Sequence, residues 1–166
     1  MSGNFNGRTY DLLQERGVSI GDLVNLVYNE QSRYLPDITK DECFASLHSV
    51  LLKREVQNAI MTGIALDKLA EQGALPADLE AQLMHDEALY GIDEILALSI
   101  VNLFGSIALT NFGYFDKVKP SVIGELDSNH EEGRCNTFLD DLVGAVVASA
   151  CARLAHRHGG VPNDSL

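Results

Sequence analysis

Three groups of acidic side chains stand beside apolar stretches of this 166-residue sequence: Asp86-Glu87 with Asp93-Glu94, then Asp116 followed by Lys117 and Lys119, then Asp140-Asp141. Carboxylates brought close together repel one another and raise each other's pKa unless a cation neutralises them. Oxygen-only ligands suit a hard ion, and Mg²⁺ is usually held by one or two carboxylates together with waters and substrate phosphate. Lys117 and Lys119 would then meet phosphate oxygens as point charges. Any one group has a plainer explanation, because a carboxylate at the start of a helix is favoured by the helix dipole and its free N–H groups. The three together point further. Asp93 and Glu94 open the most apolar helical stretch in the chain, and Asp140 and Asp141 open the second most apolar. Packing those two helices side by side would gather the acids.

The elements that must position these residues read as helices throughout, since runs of period-two alternation bounded by turns are absent. The expected fold is an all-α, single-domain bundle with a central apolar helix ringed by others. A first helix around Tyr10 to Arg16 stops at Gly17, and Ser19 caps a second that Pro36 ends. Thr39 to Glu42 forms a capping box that opens a long helical region with a bend near Lys53, closed by Gly73. A short helix follows Pro76. The segment Ile95 to Phe115 carries no charge and by length could cross a bilayer, which needs about 20 apolar residues. Its Ser99, Asn102, Gly105, Ser106, Thr110 and Asn111 argue instead for the enclosed central helix, running from about Ile92 to Thr110, with Asn102 a satisfied polar group in the core and a break at Gly113. A short helix after Pro120, a polar loop over 127–135 and a last helix starting at a Thr137-x-x-Asp140 signal complete the reading. Residues 1–8 are expected to be disordered, 9–156 to form the domain, and 157–166 to be a flexible tail.

Three blocks carry a resemblance. Gly-Ile-Asp-Glu-Ile-Leu-Ala (91–97), Tyr-Phe-Asp-Lys-Val-Lys-Pro (114–120) and Phe-Leu-Asp-Asp-Leu-Val-Gly-Ala (138–145) look like the signature blocks of the phosphatidylglycerophosphatase A family, in order and in spacing. Asp86 is similar to an acidic position that often precedes the family's Asp-Glu pair. The Gly/Pro-rich block and hydrophobic segments of the family's membrane enzymes are not evident in the first half. Instead, Lys53-Arg54-Glu55-Val56-Gln57-Asn58 through Gly63 and Asp67 resembles the soluble branch, which includes proteins labelled low temperature requirement C. The resemblance implies a Mg²⁺-dependent phosphomonoester hydrolase acting on phosphatidylglycerophosphate or a related soluble phosphomonoester. It implies that Asp93, Glu94, Asp116, Asp140 and Asp141 are metal ligands or the water-activating base. Lys117, Lys119, Arg54 and, beside it, Asn58 would bind substrate phosphate.

Composition narrows the partners. A formal net charge of −12 repels nucleic acid, whose binding is driven by Lys and Arg displacing condensed counterions. The same charge repels an anionic membrane or a free phosphate ester unless a bound cation or a local basic patch reverses the field, which leaves peripheral membrane contact open. Cys43, Cys135 and Cys151 are odd in number and form no C-x-x-C pattern, which fits a reducing cytoplasm and no structural zinc. The N-terminus has no apolar signal-peptide core. A high apolar fraction for so small an acidic domain favours homo-oligomers. Two rival functions remain open. One is an HD-type phosphohydrolase built on His48 and His85-Asp86, whose imidazoles would favour transition ions. The other is a helical binding or stress-related module that keeps the metal site without turnover. Covalent phosphatase routes lack their residues: Cys135 has Asp141, not Arg, six positions on, and there is no D-x-D or G-x-x-x-x-G-K motif. Glu125 and Asp127 are expected to face solvent.

Overall fold

A computed structural model of the chain describes residues 5–128 and 133–159, and every regular element among them is an α-helix. In chain order these are α1 (Phe5–Glu15), α2 (Ile20–Gln31), α3 (Lys40–Leu51), α4 (Arg54–Glu71), α5 (Ala77–Met84), α6 (Ile92–Val101), α7 (Ser106–Val118), α8 (Val122–Ser128) and α9 (Leu139–His158). α9 lies at the centre, with α2, α3, α4, α6, α7 and α8 packed around it. The expected bundle around one central helix is present.

The identity of that helix differs from expectation. Every residue of α9 from Leu139 to Ala152 is buried, whereas the uncharged segment splits at Asn102–Gly105 into α6 and α7, each exposing one side. Side-chain size explains the exchange. A helix enclosed on all sides must let neighbours approach to within about 8–10 Å of its axis, and α9 supplies Gly144, Ala145, Ala148, Ser149, Ala150 and Ala152 for that purpose. The bulkier α6–α7 segment buries only one stripe of each helix and leaves Ile95 61% and Leu109 49% exposed. Gly105, at φ 86, makes the break, Asn102 is an exposed cap of α6 rather than a core residue, and α7 runs through Gly113 without interruption.

Local signals elsewhere act where the sequence places them. Ser19 accepts from the Asp22 amide, and Thr39 and Glu42 form the reciprocal capping box. The bend near Lys53 is a full break between α3 and α4. α1 begins at Phe5, upstream of the expected Tyr10, and α9 continues to His158. Of the N-terminus expected to be disordered, 1–8, residues 5–8 belong to α1, and of the expected tail, 157–166, residues 157 and 158 belong to α9; residues 1–4 and 160–166 lie outside the described residues. α4 crosses the start of α9 at Gly63, where an added Cβ would lie 2.4 Å from Leu142 Cδ1 and 2.9 Å from Phe138 Cβ. Only glycine lets the two backbones come this close.

Candidate active site

The first turns of α6 and α9 meet the last turn of α7, and the acidic groups that are separate in the sequence converge there. A pocket of about 250 Å³ is lined by Asp86, Glu87, Asp93, Glu94, Asp116, Lys119, Asp140 and Asp141. The heads of α6 and α9 both lie at this pocket, and the positive ends of the two helix dipoles favour negative charge there. Asp140 and Asp141 are buried at the head of the central helix, Asp93 is half-buried, and Glu94 is exposed on the rim.

Burial pushes the carboxyl of Asp140 up to about 6, although the neighbouring Lys119 ammonium pulls against it. Asp141 is pushed up to about 8, first by burial and then by repulsion from Asp140. Burial also raises Asp93. Asp93 Oδ1 is enclosed and has no hydrogen-bond partner. An unpaired buried carboxylate oxygen costs free energy that a cation would recover.

Lys119 sits in the middle. Its Nζ is 2.9 Å from Asp140 Oδ2, 3.0 Å from Asp116 Oδ1, 3.6 Å from Asp141 Oδ1 and 3.7 Å from Asp127 Oδ1. Burial opposes the ammonium charge, but Asp140, Asp116 and Asp141 outweigh it and hold the pKa above the usual lysine range. Asp127, expected to face solvent, thus borders the cluster, whereas Glu125 is exposed as expected. As the side chains stand, no three of the described His, Cys, Asp and Glu residues are arranged to grip one ion. The Lys119 ammonium fills the space between Asp116, Asp140 and Asp141. The non-glycine residues with positive φ among the described ones are Asp86, Lys119 and Ser121, two of which line this pocket. Such backbone strain gathers where surrounding structure over-determines a site.

Other expected residues fall elsewhere. Lys117 is exposed and lines no part of the acidic pocket. Arg54 and Asn58 are exposed on the N-terminal half of α4, roughly 20 Å and 13 Å along the helix axis from Asp67 at 1.5 Å rise per residue. The neighbouring Lys53 Nζ lies over the Phe104 ring at 5.4 Å, near the end of α6 opposite Asp93. The structure therefore does not bring Arg54 and Asn58 to the carboxylates, because a rigid helix separates them. Neither imidazole of the rival site reaches the pocket: His48 Nδ1 and the Tyr10 hydroxyl are 2.6 Å apart, and His85 Nδ1 donates to the Ala81 carbonyl at 2.7 Å.

One residue that matters here was missed as a supporting group. Thr137 does not cap α9; its hydroxyl donates to the Leu83 carbonyl at 2.6 Å. The cap comes from Asp67 on α4, fully buried, whose Oδ1 accepts from the Phe138 amide and Oδ2 from the Leu139 amide, each at 3.1 Å. The Cys135 thiol lies 3.5 Å from the same Oδ1. Burial raises the Asp67 carboxyl to about 7 against the opposing pull of these donors and of Arg16. Arg16 in turn binds Glu71 through both guanidinium arms, at 3.0 and 2.7 Å, and Asn136 at 2.9 Å, fixing the segment that leads into Asp140 and Asp141. No spacing in the sequence signals a cap supplied from another helix.

The sequence model of the phosphatidylglycerophosphatase A family matches residues 14–156. The uncharacterized protein YutG of Bacillus subtilis is 54% identical over 145 residues, covering 87% of each chain. The Bacillus subtilis protein YpjQ is 49% identical over 150 residues, covering 90% of this chain and 84% of its own. Among solved structures, the low temperature requirement C protein of Listeria monocytogenes superposes with a TM-score of 0.91 at 48% identity, over 96% of this chain and 100% of that one. A Bacillus stearothermophilus protein of unknown function gives 0.89 at 53% identity, over 95% and 97%.

Proposed function

Because the chain belongs to the phosphatidylglycerophosphatase A family, we propose that it is a Mg²⁺-dependent phosphomonoester hydrolase working at the pocket where α6, α7 and α9 meet. The observation that carries this reading is the convergence of three remote acidic groups on one pocket, with Asp93 Oδ1 enclosed and unpaired. Asp93, Glu94, Asp116, Asp140 and Asp141 would hold the cation, their all-oxygen set suiting a hard ion. When bound, Mg²⁺ supplies charge neutralisation of phosphoryl oxygens and a more acidic water. The chain's own residues do the rest. The positive dipole ends of α6 and α9 favour the phosphate's negative charge, and Lys119 is the basic side chain within reach of its oxygens. A carboxylate of the set takes a proton from water as the water oxygen bonds to phosphorus. The ester oxygen then leaves as the alcohol, taking a proton in its turn.

The substrate class follows the family: phosphatidylglycerophosphate or a soluble phosphomonoester. None of the described helices is long and apolar enough to cross a membrane, so a lipid substrate would be met at a membrane surface. Three free, buried thiols suit a reducing cytoplasm. The exposed apolar side chains Ile95, Leu103, Ile107 and Leu109 along α6, α7 and the turn between them suit a second copy of the chain, which sedimentation would reveal. One observation favours a helical module without turnover: Lys119 already neutralises the cluster in part. Phosphate release with Mg²⁺, measured on phosphatidylglycerophosphate and on small soluble phosphomonoesters, separates the readings. Asp140→Asn should lower release by about a thousandfold, on the scale of removing one transition-state contact. Turnover untouched by that substitution sinks the site.

A further inference from the structure

We infer that Lys119 is an exchangeable counter-ion: its ammonium stands in for the cation while the site holds none, and on cation binding it is released to the phosphoryl group of the substrate. The inference rests on the cation-binding reading above and goes beyond it by assigning one residue two alternating partners.

The geometry supports each half. Four carboxylates lie within 3.7 Å of one ammonium. An ammonium has three N–H donors, so it cannot satisfy them all. One ammonium shared among Asp116, Asp127, Asp140 and Asp141 leaves the cluster short of cation, and Asp93 and Glu94 on the same pocket add to the shortfall. A divalent ion held by Asp116, Asp140 and Asp141 would need the oxygens that Lys119 now engages, so the two cations exclude each other by contact and by repulsion.

The backbone beneath Lys119 is pinned, while its side chain has a flexible stem. Lys119 takes the left-handed conformation, φ 47, at the end of α7, and its amide donates to the Phe115 carbonyl at 2.7 Å. Gly124 of α8 presses on the Lys119 carbonyl so closely that an added Cβ would lie 2.3 Å from that oxygen. The four-carbon stem, by contrast, carries several rotatable bonds, and the side chain is 23% exposed. A flexible stem on a pinned backbone lets the ammonium leave the carboxylates yet remain within the same pocket, where a phosphate dianion bound to the cation would receive it.

Metal-binding calorimetry tests this without turnover. Mg²⁺ is titrated into the wild-type chain, Lys119→Met and, as a control at the far end of α4, Lys53→Met. Lys119→Met should bind Mg²⁺ tenfold or more tightly than wild type, since a unit charge at about 4 Å from a near-surface site is worth several RT. The same variant, loaded with Mg²⁺, should bind inorganic phosphate more weakly than loaded wild type, and Lys53→Met should match wild type in both. Equal or weaker Mg²⁺ affinity in Lys119→Met overturns the exchange while leaving the cation site standing. Failure of both chains to bind Mg²⁺ removes the cation site and the exchange with it. If Lys119→Met does not fold without metal, the ammonium resonance of Lys119 in the wild-type chain gives the answer. It should lose its protection from solvent exchange as Mg²⁺ is added, and an unchanged signal at saturating Mg²⁺ overturns the proposal.

Discussion

Two buried sets of carboxylates sit at the head of α9, and they are treated in opposite ways. Asp67 is surrounded by donors: two backbone amides, a thiol and, nearby, the Arg16 guanidinium that also grips Glu71. Asp140, Asp141 and Asp93 face one another, share one lysine, and leave an oxygen of Asp93 with no partner. Both sets have raised pKa values because both are buried. The difference lies in what surrounds them. A carboxylate met by donors is part of the framework, while carboxylates met by carboxylates keep capacity for a ligand that is not protein.

The largest effect is expected from Asp140→Asn, which should remove turnover in the phosphate-release assay. The same substitution should leave the metal-free protein as stable as wild type or more so, because it removes a charge from a repelling set. A large loss of melting temperature would place Asp140 with the framework instead.

Asp67→Ala should behave in the reverse manner. It strands the Phe138 and Leu139 amides in the interior, and loss of such a buried acceptor costs about 3 kcal/mol. Urea unfolding should show that loss whether or not Mg²⁺ is present. A change under 1 kcal/mol, on the order of one ordinary hydrogen bond, would mean the cap is not structural.

The pH dependence sharpens the contrast further. Asp140, Asp141 and Asp67 have folded pKa values of about 6, 8 and 7, all above the ordinary aspartate range. The folded chain therefore keeps protons that the unfolded chain has released, and stability must fall as pH rises through this window. Thermal melting of metal-free protein should decline from about pH 5 to about pH 8. Mg²⁺ should restore most of the loss at the upper end in wild type and little of it in Asp140→Asn. The smallest effect is expected at the far end of α4: Arg54→Ala and Asn58→Ala should change turnover by less than about twofold, as for surface residues remote from a site. A tenfold loss would show that substrate reaches that end of the molecule.

The reading of the chain succeeded where the physics is local. Ser19 and the Thr39–Glu42 box mark helix starts because a cap involves neighbours a few residues apart. The acidic blocks at 93–94, 116 and 140–141 stood out because each occupies the end of an apolar helix. Hydrophobicity misjudged the centre, since the buried helix is rich in alanine and glycine while the bulkier α6–α7 segment lies half in solvent. Thr137, with the right residue type and spacing for a cap, gave way to Asp67, because a charged acceptor on a neighbouring helix takes both amides at once.

Sequence by itself determined the helices, most of their ends and the residue types that chemistry at this site would need, for these follow from periodicity and contacts within a turn or two. Tertiary structure alone decided which helix is enclosed, that Arg54 and Asn58 stand apart from the acids, and that Lys119 lies among Asp116, Asp127, Asp140 and Asp141. These depend on how closely remote helices approach one another, which is set by the small residues of α9 and by Gly63 and Gly124, and no pattern within one helix records it.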